Sequence, residues 1–252
     1  STILPDALKT DNEFIVVLDS RLLDLYKASF KDFKNVIFLD SAENEDLYDF
    51  HLPTASLGQF FRNSKQDFLN QKIPLLEADK EHTKKLRNRI NSGNKHICGI
   101  SWKSKNPKIG KSKSMSLEDF KPIFSLPGID FVDLQYGDTK KEKKELKDNF
   151  GFELIEMTDI DNFNDIGKLA SLINACDFVV TTSNVTAHIA GALNKKTYQI
   201  LPYTEGRIWY WGINENSSLW YPSIRLLRAD NLKDWKTPIK NLVDSLSQEI
   251  KL

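Results

Sequence analysis

A short polar loop that directly follows an apolar run carries side chains suited to binding an anion. Ser183, Asn184, Val185 and Thr186 form this loop, and His188 follows one helical turn later. Backbone N–H groups at the start of a helix attract phosphate, so we expect the loop to hold an anion, with His188 as an added donor. A polar loop is also how any strand turns into a helix, and a lone histidine is more often structural, so both interpretations remain open.

A second concentration of charge lies in residues 102–115. Five lysines occur there within eleven positions, namely Lys103, Lys105, Lys108, Lys111 and Lys113. The segment directly follows another apolar run, so we expect it at the same sheet edge as the polar loop, where one or two ammonium groups would suit a diphosphate. A solvated, flexible loop is the alternative interpretation, because the segment also contains glycine, proline and serine.

Other candidates follow neighbouring strands. Gln135, Gly137 and Asp138 end an apolar run, where they could contact a base or a ribose or form an ordinary turn. Arg207 lies at the start of the aromatic-rich segment 201–221, whose rings could stack on sugars or bases or could seal two lobes together. The acidic residues at 159–165 match no metal-ligand spacing, so we expect no metal and no cofactor.

The elements that would position these residues alternate between strand and helix. Apolar runs at 14–18, 36–39, 96–102, 129–135, 152–156, 178–181 and 197–201 predict strands, with a shorter strand at 48–53. Amphipathic segments between them predict helices, and this alternation is typical of parallel sheets. We place a boundary at Ser92 and Gly93, which gives a first lobe, 1–92, and a second lobe, 93–252. A final helix over 235–250 could pack back on the first lobe.

Composition narrows the class of protein. The 252 residues contain 35 basic and 35 acidic side chains, so no net charge favours nucleic acid. No apolar run approaches the length of a membrane-spanning helix. The two cysteines, Cys98 and Cys176, lie in or beside apolar runs and predict buried thiols of a reducing compartment. The start of the sequence has no features of a signal peptide, and we expect a cytoplasmic protein.

Some well-known site motifs do not occur. The sequence contains no GxSxG, no P-loop and no GxGxxG fingerprint. Their absence argues against a serine hydrolase, a P-loop NTPase and a nicotinamide-dependent dehydrogenase.

Several segments together resemble one family. They are Gly99-Ile100-Ser101-Trp102, Leu126-Pro127-Gly128, Phe131 to Gln135, Asp177 to Val180, Ser183 to Leu193, and Trp220-Tyr221-Pro222-Ser223 with Arg225. The chain resembles the glycosyltransferase-like C-terminal domain of bacterial tetratricopeptide-repeat proteins, which is related to the ADP-heptose:lipopolysaccharide heptosyltransferases. The first lobe matches more faintly, through residues 19–22, 29–30 and 49–57.

The resemblance implies a GT-B fold, in which two Rossmann-like domains with parallel sheets face a cleft. The second domain would hold a nucleoside diphosphate sugar without a metal, with the loop of residues 183–188 and Lys113 at the donor phosphates. A carboxylate that contacts the nucleoside would fall at Asp138 or Glu142. Ser183-Asn184-Val185 stands where heptosyltransferases have Asp-Thr-Gly, so a heptose donor is not implied. The matching first loop, with the catalytic base, would precede Ser1, so the first lobe is expected to be incomplete.

Three functions are consistent with these observations. The first is an inverting, metal-independent glycosyltransferase, hexosyl- or heptosyltransferase-like, with an unknown glycan, lipid-linked or protein acceptor. The second is a noncatalytic carbohydrate- or nucleotide-binding or scaffold module derived from such an enzyme. The third is a sugar-nucleotide epimerase of similar two-lobed shape.

Overall fold

The structure is a computed structural model that describes residues 2–42, 48–90, 93–232 and 234–250. Its strands are β1 Phe14–Val17, β2 Val36–Leu39, β3 His96–Ser101, β4 Ile129–Asp133, β5 Phe178–Thr182, β6 Thr197–Leu201 and β7 Ile224–Arg228. Its α-helices are α1 Leu4–Ala7, α2 Leu23–Ser29, α3 Gly58–Phe61, α4 Lys65–Leu69, α5 Lys80–Ile90, α6 Lys121–Phe124, α7 Lys140–Phe150, α8 Ile166–Ala175, α9 Val185–Ala192 and α10 Lys236–Glu249. Short 3-10 turns at Lys111–Lys113 and Trp209–Trp211 matter for the site.

The second half of the chain forms a five-stranded parallel sheet in the order β4-β3-β5-β6-β7. Its middle strands are apolar on both faces, and every residue of β5 and β6 is buried. Such continuous burial is typical of parallel strands covered by helices on both sides. The α/β class with parallel sheets, predicted from the alternation of elements, is therefore confirmed.

Two hydrophobic clusters lie on the two faces of this sheet. On one face α8 and α9 contribute residues such as Leu169, Leu172 and Ile189. On the other face α6, α7 and α10 contribute residues such as Ile123 and Leu242. The sheet is thus the middle of three layers, which holds the carboxyl ends of its strands in fixed positions.

The first part of the chain forms a smaller two-stranded parallel sheet from β1 and β2. Phe38 of β2 and Leu25 of α2 belong to the same hydrophobic cluster as α8 of the second half. Arg87 on α5 strengthens the junction, since its guanidinium donates to the Ala175 carbonyl at 2.7 Å and pairs with Asp177 at 2.8 Å. The two parts therefore share one core.

Several predicted elements differ from the structure. Residues 48–53 carry no strand, and the predicted strand at 152–156 contributes one isolated bridge between Ile155 and Val132. Strand β7 was missed, because its short run follows Pro222 and Ser223 within an aromatic-rich segment. The final helix, α10, packs on α6 and on strands β6 and β7 of the second sheet, and not on the first lobe. Its apolar face completes the hydrophobic cluster around Leu242.

The predicted domain boundary lies partly outside the described residues, since the structure describes Gly93 but not residues 91 and 92. The division into two domains stays a prediction. Both cysteines are buried free thiols, as predicted. Within the described ranges, no helix is long and apolar enough to cross a membrane.

A test of the sheet packing uses Gly99 in β3. A Cβ added there would overlap Leu134 and lie 3.0 Å from the Cys176 sulfur, so we expect Gly99→Ala to lower the free energy of unfolding by about 1–3 kcal/mol. The matched control is Gly167→Ala in α8, where the nearest atom is 3.7 Å away and alanine favours the helix. Urea denaturation of both variants checks the prediction, which fails if the two show equal stability.

Candidate functional site

The strand order places a topological switch point between the carboxyl ends of β3 and β5, and we call the region between the loops that follow these strands the crevice. From β3 the chain crosses to β4 on one side, whereas β5 pairs with the other side of β3. Loops therefore leave these two strands in opposite directions, and open α/β sheets bind ligands at such a switch point. The loops concerned are the lysine-rich segment after β3 and the polar loop after β5. The structure thus places side by side the two segments in which the sequence predicted anion-binding residues.

Asn184 fastens these two loops to each other. Its amide nitrogen donates to Ser101 Oγ at 2.8 Å and to the Lys103 carbonyl at 3.1 Å. Its amide oxygen accepts from the backbone N–H groups of Thr186 at 3.0 Å and Ala187 at 3.4 Å, which caps α9. Both the nitrogen and the oxygen of this amide already have partners within the protein. We therefore revise the prediction that Asn184 contacts the donor: it holds in place the two loops on either side of the crevice.

Gln135 has a similar internal role. Its side-chain oxygen accepts from Ser101 Oγ at 3.0 Å and from the backbone N–H groups of Trp102 at 2.8 Å and Lys103 at 2.7 Å. Its amide nitrogen donates to the Tyr136 carbonyl at 3.1 Å. The predicted donor contact of Gln135 is therefore also revised, since the side chain holds the start of the lysine-rich loop. The sequence could not reveal these partners because they come from other strands.

The lysine-rich loop is built around folded turns rather than being a loose tether. Ser114 Oγ accepts from the Ser104 N–H at 3.0 Å and donates to the Gly110 carbonyl at 2.7 Å. Asn106 Oδ1 accepts from the backbone of Lys108 at 3.0 Å. These contacts fix the backbone that leads to the turn Lys111–Lys113.

Lys113 is the most unusual charged residue of this region. Only 5% of its surface is exposed, and it is the one buried residue among the five lysines of this loop. Burial lowers the pKa of this amine below its ordinary value. Its side chain packs beside Gly206, where an added Cβ would lie 3.2 Å from Lys113 Cβ. A buried stem holds the ammonium at a fixed place on the loop, and a positive charge held in this way suits an anion.

Hydroxyl groups around the polar loop add further donors. The Oγ1 atoms of Thr182 and Thr186 are buried and have no hydrogen-bond partner. Ser183 Oγ accepts from Trp211 Nε1 at 3.0 Å, which leaves its own hydrogen available to donate. Ser183 and Thr186 therefore remain candidates for donor contact, and Thr182 joins them.

His188 lies within an aromatic cluster instead of facing an open crevice. Its ring stacks on Trp211 with the ring centroids 5.0 Å apart. Its Nε2 lies 3.0 Å from the Tyr210 hydroxyl, and its Nδ1 lies 3.3 Å from the Tyr221 hydroxyl. Burial, together with the nearby Lys113 ammonium, lowers the pKa of His188 to about 4. The ring is thus neutral near pH 7 with both nitrogens engaged, so we revise its predicted role from anion donor to support of the aromatic cluster.

The predicted residues after β4 lie on the surface. Gly137 has a φ of +89°, and an added Cβ would meet Lys105 Cε at 2.5 Å, so this lysine lies across the turn. Asp138 is exposed and accepts from the Lys140 N–H at 3.2 Å near the start of α7. Both remain predictions for a nucleoside contact.

Arg207 and Val185 occupy different surroundings. Arg207 is exposed; its Nε donates to the Pro202 carbonyl at 3.3 Å, and its guanidinium lies 5.8 Å from the Tyr203 ring. The Val185 side chain packs against the cluster formed with α8, which leaves only its backbone for a ligand. Arg207 remains a predicted donor contact.

Glu142, the alternative nucleoside-contacting carboxylate, is already bound on both oxygens. Trp102 Nε1 donates to one oxygen at 2.8 Å, and the Lys103 ammonium pairs with the other at 2.6 Å. It therefore braces the base of the lysine-rich loop.

Sequence reasoning did not identify Thr182 or the specific role of Trp211. Trp211 is 2% exposed and connects Ser183 with His188. The high density of aromatic residues after β6 was the one sign in the sequence that this segment covers a neighbouring loop. The sequence could not show which aromatic ring contacts which loop residue, because this depends on how residues 201–221 fold back over the polar loop.

A groove of about 360 Å³ lies at the opposite edge of the sheet. It is lined at the first residues of β6 and β7 by Thr197 and Ile224, with Arg225 and Glu249 nearby. It does not include Lys113 or Ser183, so it forms no part of the predicted donor site. Within the part of the chain that the structure describes, no group of three or more His, Cys, Asp or Glu side chains is placed to hold a metal.

Comparison with known proteins supports the fold. The structure is similar to that of ADP-heptose LPS heptosyltransferase II from E. coli, with a TM-score of 0.51 and 17% sequence identity over 75% of this chain and 59% of the enzyme. A glycosyl transferase family 9 protein from Veillonella parvula gives a TM-score of 0.49 and 13% identity over 69% of this chain and 52% of that one. The chain has a GT-B-like fold. No protein-family profile matches it.

One curated protein is similar in sequence. Protein FlbA of Caulobacter vibrioides is 25% identical over 267 residues, which cover 98% of this chain and 43% of FlbA. The chain thus spans less than half the length of FlbA.

The partly buried imidazole of His188 predicts a specific pH dependence. The unfolded histidine takes up a proton near pH 6.5 and folded His188 only near pH 4, so the unfolded state binds more protons between these values. We expect His188 to destabilise the fold progressively as pH falls through this window, by up to about 3 kcal/mol. Urea denaturation between pH 7 and pH 4 should show a shallower loss for His188→Gln than for the unsubstituted protein.

The matched control is His51→Gln, which replaces an exposed histidine. Its pH dependence should follow that of the unsubstituted protein. Parallel curves for the unsubstituted protein and His188→Gln would contradict the buried, neutral state of His188.

Proposed function

We propose that this chain is an inverting, metal-independent glycosyltransferase domain that binds a nucleoside diphosphate sugar at the crevice between β3 and β5. The single observation that carries this proposal is Lys113 beside that crevice, whose side chain is 5% exposed and whose pKa is lowered by burial. The GT-B-like fold supports it, since the similar solved structures have glycosyltransferase names. The sugar, the acceptor and any association with tetratricopeptide repeats or a cytoplasmic location stay predictions.

Electrostatics explains why Lys113 would favour a leaving phosphate. As the glycosidic bond breaks, negative charge develops on the phosphate oxygen that leaves with the nucleotide. An ammonium that burial has partly desolvated interacts with this charge more strongly than a fully hydrated surface lysine does. Lys113 would therefore stabilise the transition state rather than only the bound donor.

The hydroxyls of the polar loop would direct the same phosphate group. Thr182 and Thr186 have buried hydroxyls without partners, and Ser183 retains a hydrogen to donate. Hydrogen bonds to an ionised acceptor are worth about 1.5–3 kcal/mol each. These groups would position the phosphate, while the amides of Asn184 and Gln135 hold the two loops at fixed separation.

An experiment on Lys113 tests the proposal directly. Lys113→Met keeps much of the side-chain length and removes the charge, so we expect binding of the correct nucleotide sugar to weaken about tenfold or more. Stability should be unchanged or slightly raised, because a partly desolvated charge is lost. Calorimetry and thermal shift with UDP-, GDP-, ADP- and CMP-linked sugars provide the measurement.

The control is Lys111→Met, which removes an exposed lysine from the same turn. It should alter the binding only weakly. The proposal is wrong if no nucleotide sugar stabilises the unsubstituted protein at millimolar concentration, or if both lysine variants bind the donor equally well.

A noncatalytic binding module is the second candidate, and the state of the nearby carboxylates favours it. Glu142 pairs with Lys103 at 2.6 Å, and Asp133 pairs with Lys143 at 2.8 Å, so neither is free to act as a base. A glycosyltransferase needs a base for the acceptor hydroxyl. Assays for sugar-nucleotide hydrolysis and transfer separate the two candidates: donor binding without turnover under any acceptor condition would favour the binding module.

A further inference from the structure

The structure divides the aromatic segment after β6 into two groups with different surroundings. Trp211 and Tyr210 face His188 and close over the polar loop. Trp209 meets Tyr210 edge-on but is itself 72% exposed. An exposed tryptophan loses the benefit of burial, so its position calls for a different explanation from that of its neighbours.

The exposed ring is held in a defined orientation. It contacts Tyr210 with the ring centroids 5.7 Å apart and the ring planes at 79°, and it contacts Trp220 at 6.1 Å and 85°. Trp220 in turn meets Phe68 of α4 at 4.8 Å and 87°. These edge contacts fix the indole from the side, so ordering it on binding would cost little conformational entropy.

The location of Trp209 connects it with the proposed donor site. It begins the 3-10 turn Trp209–Trp211, and the last residue of that turn donates to Ser183 Oγ at 3.0 Å. The exposed indole therefore lies at the edge of the aromatic turn that covers the polar loop. A ligand group that extends out of the crevice on this side would meet the ring.

The neighbouring side chains indicate the chemical class of that group. The exposed side chains of the same segment are mostly polar, such as those of Thr204, Glu205, Arg207 and Asn214, beside the aromatic Tyr203 and the apolar Ile213. An apolar protein partner would bury these groups at a cost. A sugar ring has one face of C–H groups and a rim of hydroxyls, so it can stack on the indole and keep its hydroxyls near polar side chains.

We propose that Trp209 is a stacking subsite for a pyranose ring of the substrate. This inference rests on the proposed glycosyltransferase function and adds to it the place where a sugar lies. The subsite needs no nucleotide, so free glycosides should reach it.

Indole N–H signals in NMR spectra of the ¹⁵N-labelled chain test the inference. The chain has five tryptophans, and Trp209→Phe assigns the signal of interest by its disappearance. The probes are the methyl glycosides of glucose, galactose and N-acetylglucosamine, with glycerol as a polyol without a ring and uridine as a base without a phosphate. We expect saturable shifts of the Trp209 signal with at least one glycoside and none with glycerol or uridine.

The other indoles are internal controls, because Trp102 and Trp211 are buried and their signals report whether each variant is folded. Trp209→Ala should weaken glycoside binding about tenfold, Trp209→Phe less, and Ile213→Ala, which removes another exposed apolar side chain, should leave it unchanged. Glycoside binding is read in Trp209→Ala from perturbation of the remaining signals or by calorimetry.

The inference is overturned if no glycoside shifts the Trp209 signal, or if uridine shifts it and the glycosides do not. Its failure is distinct from failure of the proposed function. Binding of the bare nucleotide should depend on Lys113 and be unaffected by Trp209→Ala.

Discussion

A buried chain of polar side chains holds the crevice of this protein in shape. Asn184 donates to Ser101, and Ser101 donates to Gln135, so three residues from three neighbouring strand ends are linked by short hydrogen bonds. The amides of Asn184 and Gln135 also bind the backbone of the lysine-rich loop near Lys103. A satisfied network of this kind is rigid, because losing one member leaves buried polar atoms without partners. The separation of the two loops that form the crevice therefore depends on it.

Against this satisfied network, a few polar groups beside the crevice lack partners. The hydroxyls of Thr182 and Thr186 are buried without a hydrogen-bond partner, and the nearby Lys113 side chain is buried along its stem. A folded chain pairs most of its buried polar atoms, so the two unpaired hydroxyls at this topological switch point are candidates for ligand contact. The contrast separates residues that position the site from those that would contact a ligand. It is also why the functional proposal depends on Lys113 and not on His188.

The aromatic segment couples the site to the rest of the molecule. Trp211 joins Ser183 to the stacked ring of His188, and Trp220 reaches Phe68 in the first part of the chain. Gln71 adds a hydrogen bond from its side chain to the Leu219 carbonyl at 2.8 Å. The first part of the chain thus packs against both the hydrophobic core and the aromatic segment that covers the polar loop. A substitution in the first part of the chain or in the aromatic segment should therefore shift the polar loop, because closely packed side chains transmit small displacements.

The sequence by itself determined the α/β class, the parallel β5 and β6, the buried cysteines, and the loops that hold the candidate anion-binding residues. These features follow from local patterns, such as apolar runs ended by small polar residues. Only the tertiary structure decided which loop residues remain available. Asn184, Gln135 and His188 have the same chemistry as ligand contacts, yet their partners come from distant segments that no local pattern specifies. Lys113 differed from its four neighbouring lysines only when folding buried it, since burial depends on the packing of Gly206 and the aromatic segment over that turn.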